Sequence, residues 1–181
     1  GDVRVYENLD VLPRAFALPR VRPVAAASLP GALRGLDPRR EVLLDQGAAP
    51  VAQQTAGDWP LQAGVVTHYG LNDVTVEVDM PGDGYLVLAD SYAPGWKAYR
   101  RAPDAGPKSE EEIALLRANG NFRAVHLPAG EHLVHFKYTP MSAKVGLYVS
   151  FMSAVILMLL GVWWAWGRYY RESDSDPAVK R

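Results

Sequence analysis

Short apolar runs separated by Pro, Gly, Asn and Asp fill residues 1–142, and one long uninterrupted apolar run follows them. Val74, Val76 and Val78 alternate with Thr75, Glu77 and Asp79, so 73–80 predicts a strand with one dry and one wet face. VVTHYG at 65–70 predicts the preceding strand, joined to it through GLND as a turn. YLVLADS at 85–91 is nearly apolar throughout, as the central strand of a sandwich would be. Further strands are expected over 3–8, 14–19 and 41–46. SLPGALRGLD at 28–37 predicts a helix, with Ser28 as its cap, Pro30 in its first turn and Gly35 at its end.

FRAVHLPAGEHLVHFKY at 122–138 reads as a hairpin closed by Pro128-Ala129-Gly130, with Gly130 left-handed. Counting outwards sets His126 against His132, Ala124 against Val134 and Phe122 against Phe136 on the core face. Arg123, His135 and Lys137 then lie on the solvent face. The stretches 47–64 and 100–112 read as loops, and Glu110, Glu111 and Glu112 as a solvated charge run. The expected fold is mainly β. A small β-α-β part spans 1–50, and a jelly-roll-like β-sandwich spans 51–142.

From Val145 to Gly167 the chain carries 23 residues without a charge. As a helix this run would be roughly 35 Å long, enough for a hydrocarbon core of about 30 Å. Trp163, Trp164, Trp166, Tyr169 and Tyr170 crowd its downstream end, where an interfacial aromatic belt would lie. The expectation is a transmembrane helix over 143–168 and a tail over 169–181, whose ESDSDPAVKR stretch is short, polar and disordered. Arg168, Arg171, Lys180 and Arg181 follow the span, so the positive-inside rule points to a cytoplasmic C-terminus and an extracytoplasmic β domain.

Composition narrows the chemistry. The chain has 181 residues, 19 basic against 20 acidic, and a formal charge of -1, so it lacks the positive excess that nucleic-acid binding demands. It has no cysteine, which excludes a disulfide framework, a thiolate metal site and a Cys nucleophile. His126 and His132, with His68 or Asp90 as a third ligand, form the one candidate metal couple. No metal-spacing motif accompanies them, and two half-exposed histidines at a strand end is the plainer reading. No phosphate loop, G-x-S-x-G or paired acid and base appears, so neither a cofactor nor a complete active site is expected within the chain.

The stretch DSYAPGWKAY at 90–99 is the richest in candidate chemistry. Pro94-Gly95 suits the centre of a type II turn. Asp90, Tyr92, Trp96 and Lys97 are the candidate substrate-binding residues: an aromatic face stacks on sugar C–H groups while polar tips bond hydroxyls. The same residues also suit a turn with Trp96 sealing one end of the core, and the residue pattern leaves both readings open.

Tyr6-Glu7-Asn8, Leu12-Pro13-Arg14-Ala15, Asp90-Ser91-Tyr92, Pro94-Gly95-Trp96-Lys97, Arg123-Ala124-Val125 and Pro128-Ala129-Gly130-Glu131-His132 occur in that order before the apolar run. In combination they resemble the C-terminal end of the YfhO-like bacterial multi-pass membrane proteins, over about residues 3–168. The chain departs from that pattern after Tyr99, where a longer loop replaces a short turn. The resemblance implies a piece of a GT-C-type glycosyltransferase that moves sugar from a polyprenyl-phosphate carrier onto a cell-envelope polymer. It implies the bacterial inner membrane as location, and as partners the bilayer, upstream membrane helices of the same protein, and a glycan or polyprenyl-phosphate sugar. It also implies that the catalytic acid lies in an early loop, so no catalytic residue is expected in this chain. A membrane-anchored glycan-binding module and a purely structural cap are the alternatives.

Overall fold

The computed structural model describes residue 6 and residues 11–46 and 57–173. The strand expected over 3–8, most of the 47–64 loop and the end of the tail lie outside the described residues apart from Tyr6 and residues 57–64. Eleven strands are described: Ala15–Leu18 (β1), Val21–Val24 (β2), Val42–Asp45 (β3), Gln62–Tyr69 (β4), Asp73–Met80 (β5), Gly84–Ser91 (β6), Trp96–Arg101 (β7), Glu111–Ile113 (β8), Leu116–Ala118 (β9), Phe122–Leu127 (β10) and Gly130–Tyr138 (β11). The helices are Leu29–Arg34 (α1) and Met141–Ser173 (α2). The chain divides into two compact units, Gly1–Thr139 and Pro140–Arg181.

All eleven strands hydrogen-bond into one curled sheet in the order β2-β3-β9-β10-β6-β1-β4-β5-β11-β7-β8. The N-terminal strands are not set apart as a 1–50 part. β1 is threaded between β6 and β4, with Phe16 opposite both Val87 and Ala63, because its four residues are buried and need cover on each side. β2 and β3 pair in parallel around α1, a short β-α-β crossover at one edge. Ser28 does not cap α1. Its backbone is already helical (φ -92°, ψ -9°) rather than extended as a capping residue's is, and its side chain makes no capping hydrogen bond.

The strand pairing over 122–138 differs from a hairpin. β10 pairs with β6 and β9, whereas β11 pairs with β5 and β7. Gly130 does take a positive φ of 114°, but the turn before it is an arch between the two halves of the sheet. A second arch, 81–83, joins β5 to β6 beside it, and the Ala129 amide donates to Asp83 Oδ1 at 3.1 Å, tying the arches together. A hairpin would have left Val125, Leu127 and Leu133 on the solvent face beside Arg123. The arch instead buries all three.

Two clusters result. Ala15, Ala17, Leu86, Leu88, Val125 and Leu127 from one half meet Val74, Val76, Val78, Val134, Phe136 and Ala98 from the other. On the reverse side of β1, β6 and β10, Phe16, Leu18, Tyr85, Val87 and Ala124 pack with Val42, Leu44 and Leu116. Trp59, from the stretch read as a loop, packs against the first cluster. Two residues of the charge run open the edge strand β8, where Glu112 accepts from Lys97 at 2.8 Å and Glu111 from Arg100 at 2.7 Å; Glu110, just before it, lies 3.2 Å from His135.

Because the native chain lacks cysteine, paired substitutions can test this pairing cleanly. Val76→Cys with Val134→Cys, directly opposite in the register, is expected to form a disulfide on mild oxidation. Ala124→Cys with Val134→Cys, opposite in the hairpin alternative, is expected to stay reduced. Counting free thiols in the unfolded, oxidised protein distinguishes the two pairings.

Candidate functional site

The turn after β6 is built as its residues demand. Tyr92 N–H donates to the Asn121 carbonyl at 2.7 Å, and Trp96 N–H reaches back to the Ala93 carbonyl at 3.4 Å. Gly95 has a φ of 103°, which its lack of Cβ permits and which position i+2 of a type II turn requires. From this turn Trp96 points inward against the main core, as does Ala98 two residues on. Lys97, between them, faces outward, where its Nζ is bound at 2.8 and 3.0 Å by the two carboxylate oxygens of Glu112. That hydrogen bond and the Glu112 charge raise the Lys97 pKa.

Arg123 is the charged residue among those the hairpin reading misplaces. The alternation sets it on the solvent face, yet it is 5% exposed. Its guanidinium carbon lies 3.5 Å from the Trp96 ring centroid, and its Nε donates to the Ser91 carbonyl at 3.0 Å. Among the described residues its buried Nη1 has no hydrogen-bond partner. Burial lowers the Arg123 pKa, opposed first by the charge of Asp90 and then by Tyr69. Asp90, with its side chain 12% exposed, also faces Arg14, whose Nε is 3.8 Å from Oδ1. Arg14 in turn stacks over Tyr69, 4.6 Å from its centroid. Trp96 also packs against Tyr138, with centroids 5.3 Å apart and the ring planes tilted by 42°.

Of the four candidate residues, then, Asp90 and Trp96 converge around Arg123. Tyr92 lies half-buried in the adjoining turn, and Lys97 is on the opposite side of β7. The residues that sequence reasoning left out of the site are Arg123, Arg14, Tyr69 and Tyr138. The one signal for Arg123 is its place within a run, FRAVHL, apolar enough to be covered on both faces.

The proposed metal couple does not assemble. His126 sits opposite Tyr85, ring centroids 5.1 Å apart, while His132 sits opposite Val78 with its Nε2 2.9 Å from the Pro128 carbonyl. His68 is elsewhere again, its Nε2 2.9 Å from Asp73. Among the described residues no group of three His, Cys, Asp or Glu side chains is placed to hold a metal ion.

α2 contains a stretch, Val145–Tyr169, that is long and apolar enough to cross a membrane. The Ser153 hydroxyl within it donates to the Val149 carbonyl at 2.8 Å, so that polar group is satisfied inside the helix. Fold and helix together define the class: a β-rich unit followed directly by an apolar helix of membrane-span length. No family model, curated protein or solved structure matches the chain.

The Trp96–Arg123 contact is expected to carry measurable coupling. In a double-mutant cycle of Trp96→Leu and Arg123→Met, followed by urea denaturation in detergent, the coupling should be about 1–2 kcal/mol, as for a desolvated cation–π pair. A coupling near zero would show that the two side chains are neighbours without mutual stabilisation.

Proposed function

We propose that this chain is the extracytoplasmic, sandwich-like β unit and adjoining membrane helix of a YfhO-like bacterial inner-membrane protein. In this reading the parent protein is a GT-C-type glycosyltransferase, drawing sugar from a polyprenyl-phosphate carrier to modify an envelope polymer. The β unit shapes or covers the acceptor side and contributes no catalytic group. The observation that carries the reading is the junction itself. β11, in the interior of the sheet, ends at Tyr138, and three residues later the chain enters a helix with a membrane-length apolar stretch. The orientation rests on Arg168, Arg171, Lys180 and Arg181 after the span. The residues of four resembling motifs, Arg14, Asp90, Trp96 and Arg123, gather at one end of the sheet, which further supports it.

A second reading, a structural cap that supports neighbouring membrane helices, draws on the state of Trp96. Arg123 covers one ring face, Tyr138 packs against the ring at a tilt, and the ring also packs against the main core, which leaves little ring surface for a sugar to stack on.

Topology and transfer are tested together in the parent protein. Asp104→Cys is expected to react with an impermeant maleimide in intact cells, and Ser175→Cys only after permeabilisation. Deleting residues 11–139 is expected to abolish transfer of radiolabelled sugar to the envelope polymer while the protein stays in the membrane. The reverse labelling pattern would overturn the orientation. Undiminished transfer in a stably inserted deletion variant would leave the structural reading.

A further inference from the structure

The last two residues of the β unit before the helix are each held by a turn. Tyr138 N–H donates to the Asn72 carbonyl in the β4–β5 turn, and Thr139 N–H donates to the Gly95 carbonyl in the β6–β7 turn, both at 2.7 Å. The chain therefore leaves the β unit between these two turns. Thr139 to Val145 is six residues, so the exit point lies at most about 22 Å along the chain from the first residue of the apolar stretch. It lies nearer still because α2 is helical from Met141.

This same end presents apolar side chains to solvent. Leu71, at the tip of the β4–β5 turn, is 97% exposed, the highest value among the exposed large apolar side chains of the described residues. Tyr69 beside it is 54% exposed. The turn is closed, with Gly70 N–H donating to the Asp73 carbonyl at 2.8 Å and His68 Nε2 lying 2.9 Å from Asp73 Oδ2. Leu71 is thus displayed by a fixed frame. Arg14, whose Nε lies 3.8 Å from Asp90, stacks on Tyr69 and keeps its side chain 55% exposed, setting a cation next to the aromatic. The far end differs. Its connections, 81–83, 102–110 and 128–129, hold no exposed large apolar side chain among the described residues.

We propose that the end of the β unit carrying Leu71 and Tyr69 rests on the lipid surface, with Leu71 inserted at the headgroup–acyl boundary and Arg14 at the phosphates. The proposal rests on the reading of α2 as a membrane span. Leucine, tyrosine and arginine suit that layer in turn: an apolar tip for the acyl boundary, an amphipathic ring for the headgroups, and a cation for lipid phosphate. One leucine and one tyrosine would not hold a free protein on a bilayer. Tethering by a few residues makes the contact intramolecular, so a weak contact suffices to orient the unit.

The absence of cysteine allows a single-site probe in the whole chain. Asn72→Cys, Asp83→Cys and Ile156→Cys are each labelled with an environment-sensitive fluorophore. They are then reconstituted into phosphatidylcholine–phosphatidylglycerol vesicles with and without spin-labelled lipid as quencher. The expected result is quenching at 156 and at 72, little at 83, and loss of the quenching at 72 when Leu71→Asp is added. Quenching at 156 with none at 72 overturns the proposal while leaving the span intact, as it would if another membrane protein rather than lipid covers this end. Quenching at 72 that survives Leu71→Asp overturns the insertion of Leu71. No quenching at 156 removes the membrane span and the proposal with it.

Discussion

β1, β6 and β10 must be covered on both faces, and the rest of the β unit depends on that constraint. Their alternate residues belong to different clusters: Ala15, Leu86 and Val125 face the other half of the sheet, while Phe16, Val87 and Ala124 face β3 and β9. A flat sheet would wet one of these faces, so the sheet curls. The two arches at 81–83 and 128–129 and the shared strand β4 are how one chain makes that curl without breaking its ladder of hydrogen bonds. Burial at about 25 cal/mol per Å² of apolar surface outweighs the extra loop closure the arches require.

The same constraint explains the charged residue in the interior. β10 is covered on both faces, so Arg123 has no solvent to face and is instead laid against Trp96, anchored on the Ser91 carbonyl and offset by Asp90. The register shift between Phe122 and Arg123 lies just where β6 gives way to the 92–95 turn, and it brings Phe122 opposite Ser91. Trp96 is therefore a plug with a specific partner beneath it. Its pairing with Tyr138 links that plug to the last strand before the helix.

The two ends of the β unit have consequently different characters. At one end, turns at 70–72 and 92–95 clasp the departing chain and carry aromatic and apolar side chains. At the other, arches rich in proline and a charged segment, 102–110, meet solvent.

The sequence by itself determined the elements whose periodicity is local. The 73–80 strand appears with the expected bounds, α1 lies within 28–37, and the apolar run from Val145 is unmistakable because no side chain interrupts it. The Pro94-Gly95 turn was legible too, since φ preferences act within a few residues. Only the tertiary structure decided which strands pair. The alternation along 122–138 is equally compatible with a hairpin and with an arch. The choice turned on Val125, Leu127 and Leu133, whose register partners Leu86, Gly84 and Glu77 lie 39, 43 and 56 residues away. The same is true of the candidate site. Asp90 and Trp96 were legible as candidates beside Tyr92 and Lys97, but Arg123 joins them, and Lys97 departs from them, only through strand pairing and the alternation of side chains across β7. Period-2 patterns specify the two faces of a strand, whereas what covers each face is decided by contacts between residues distant in sequence.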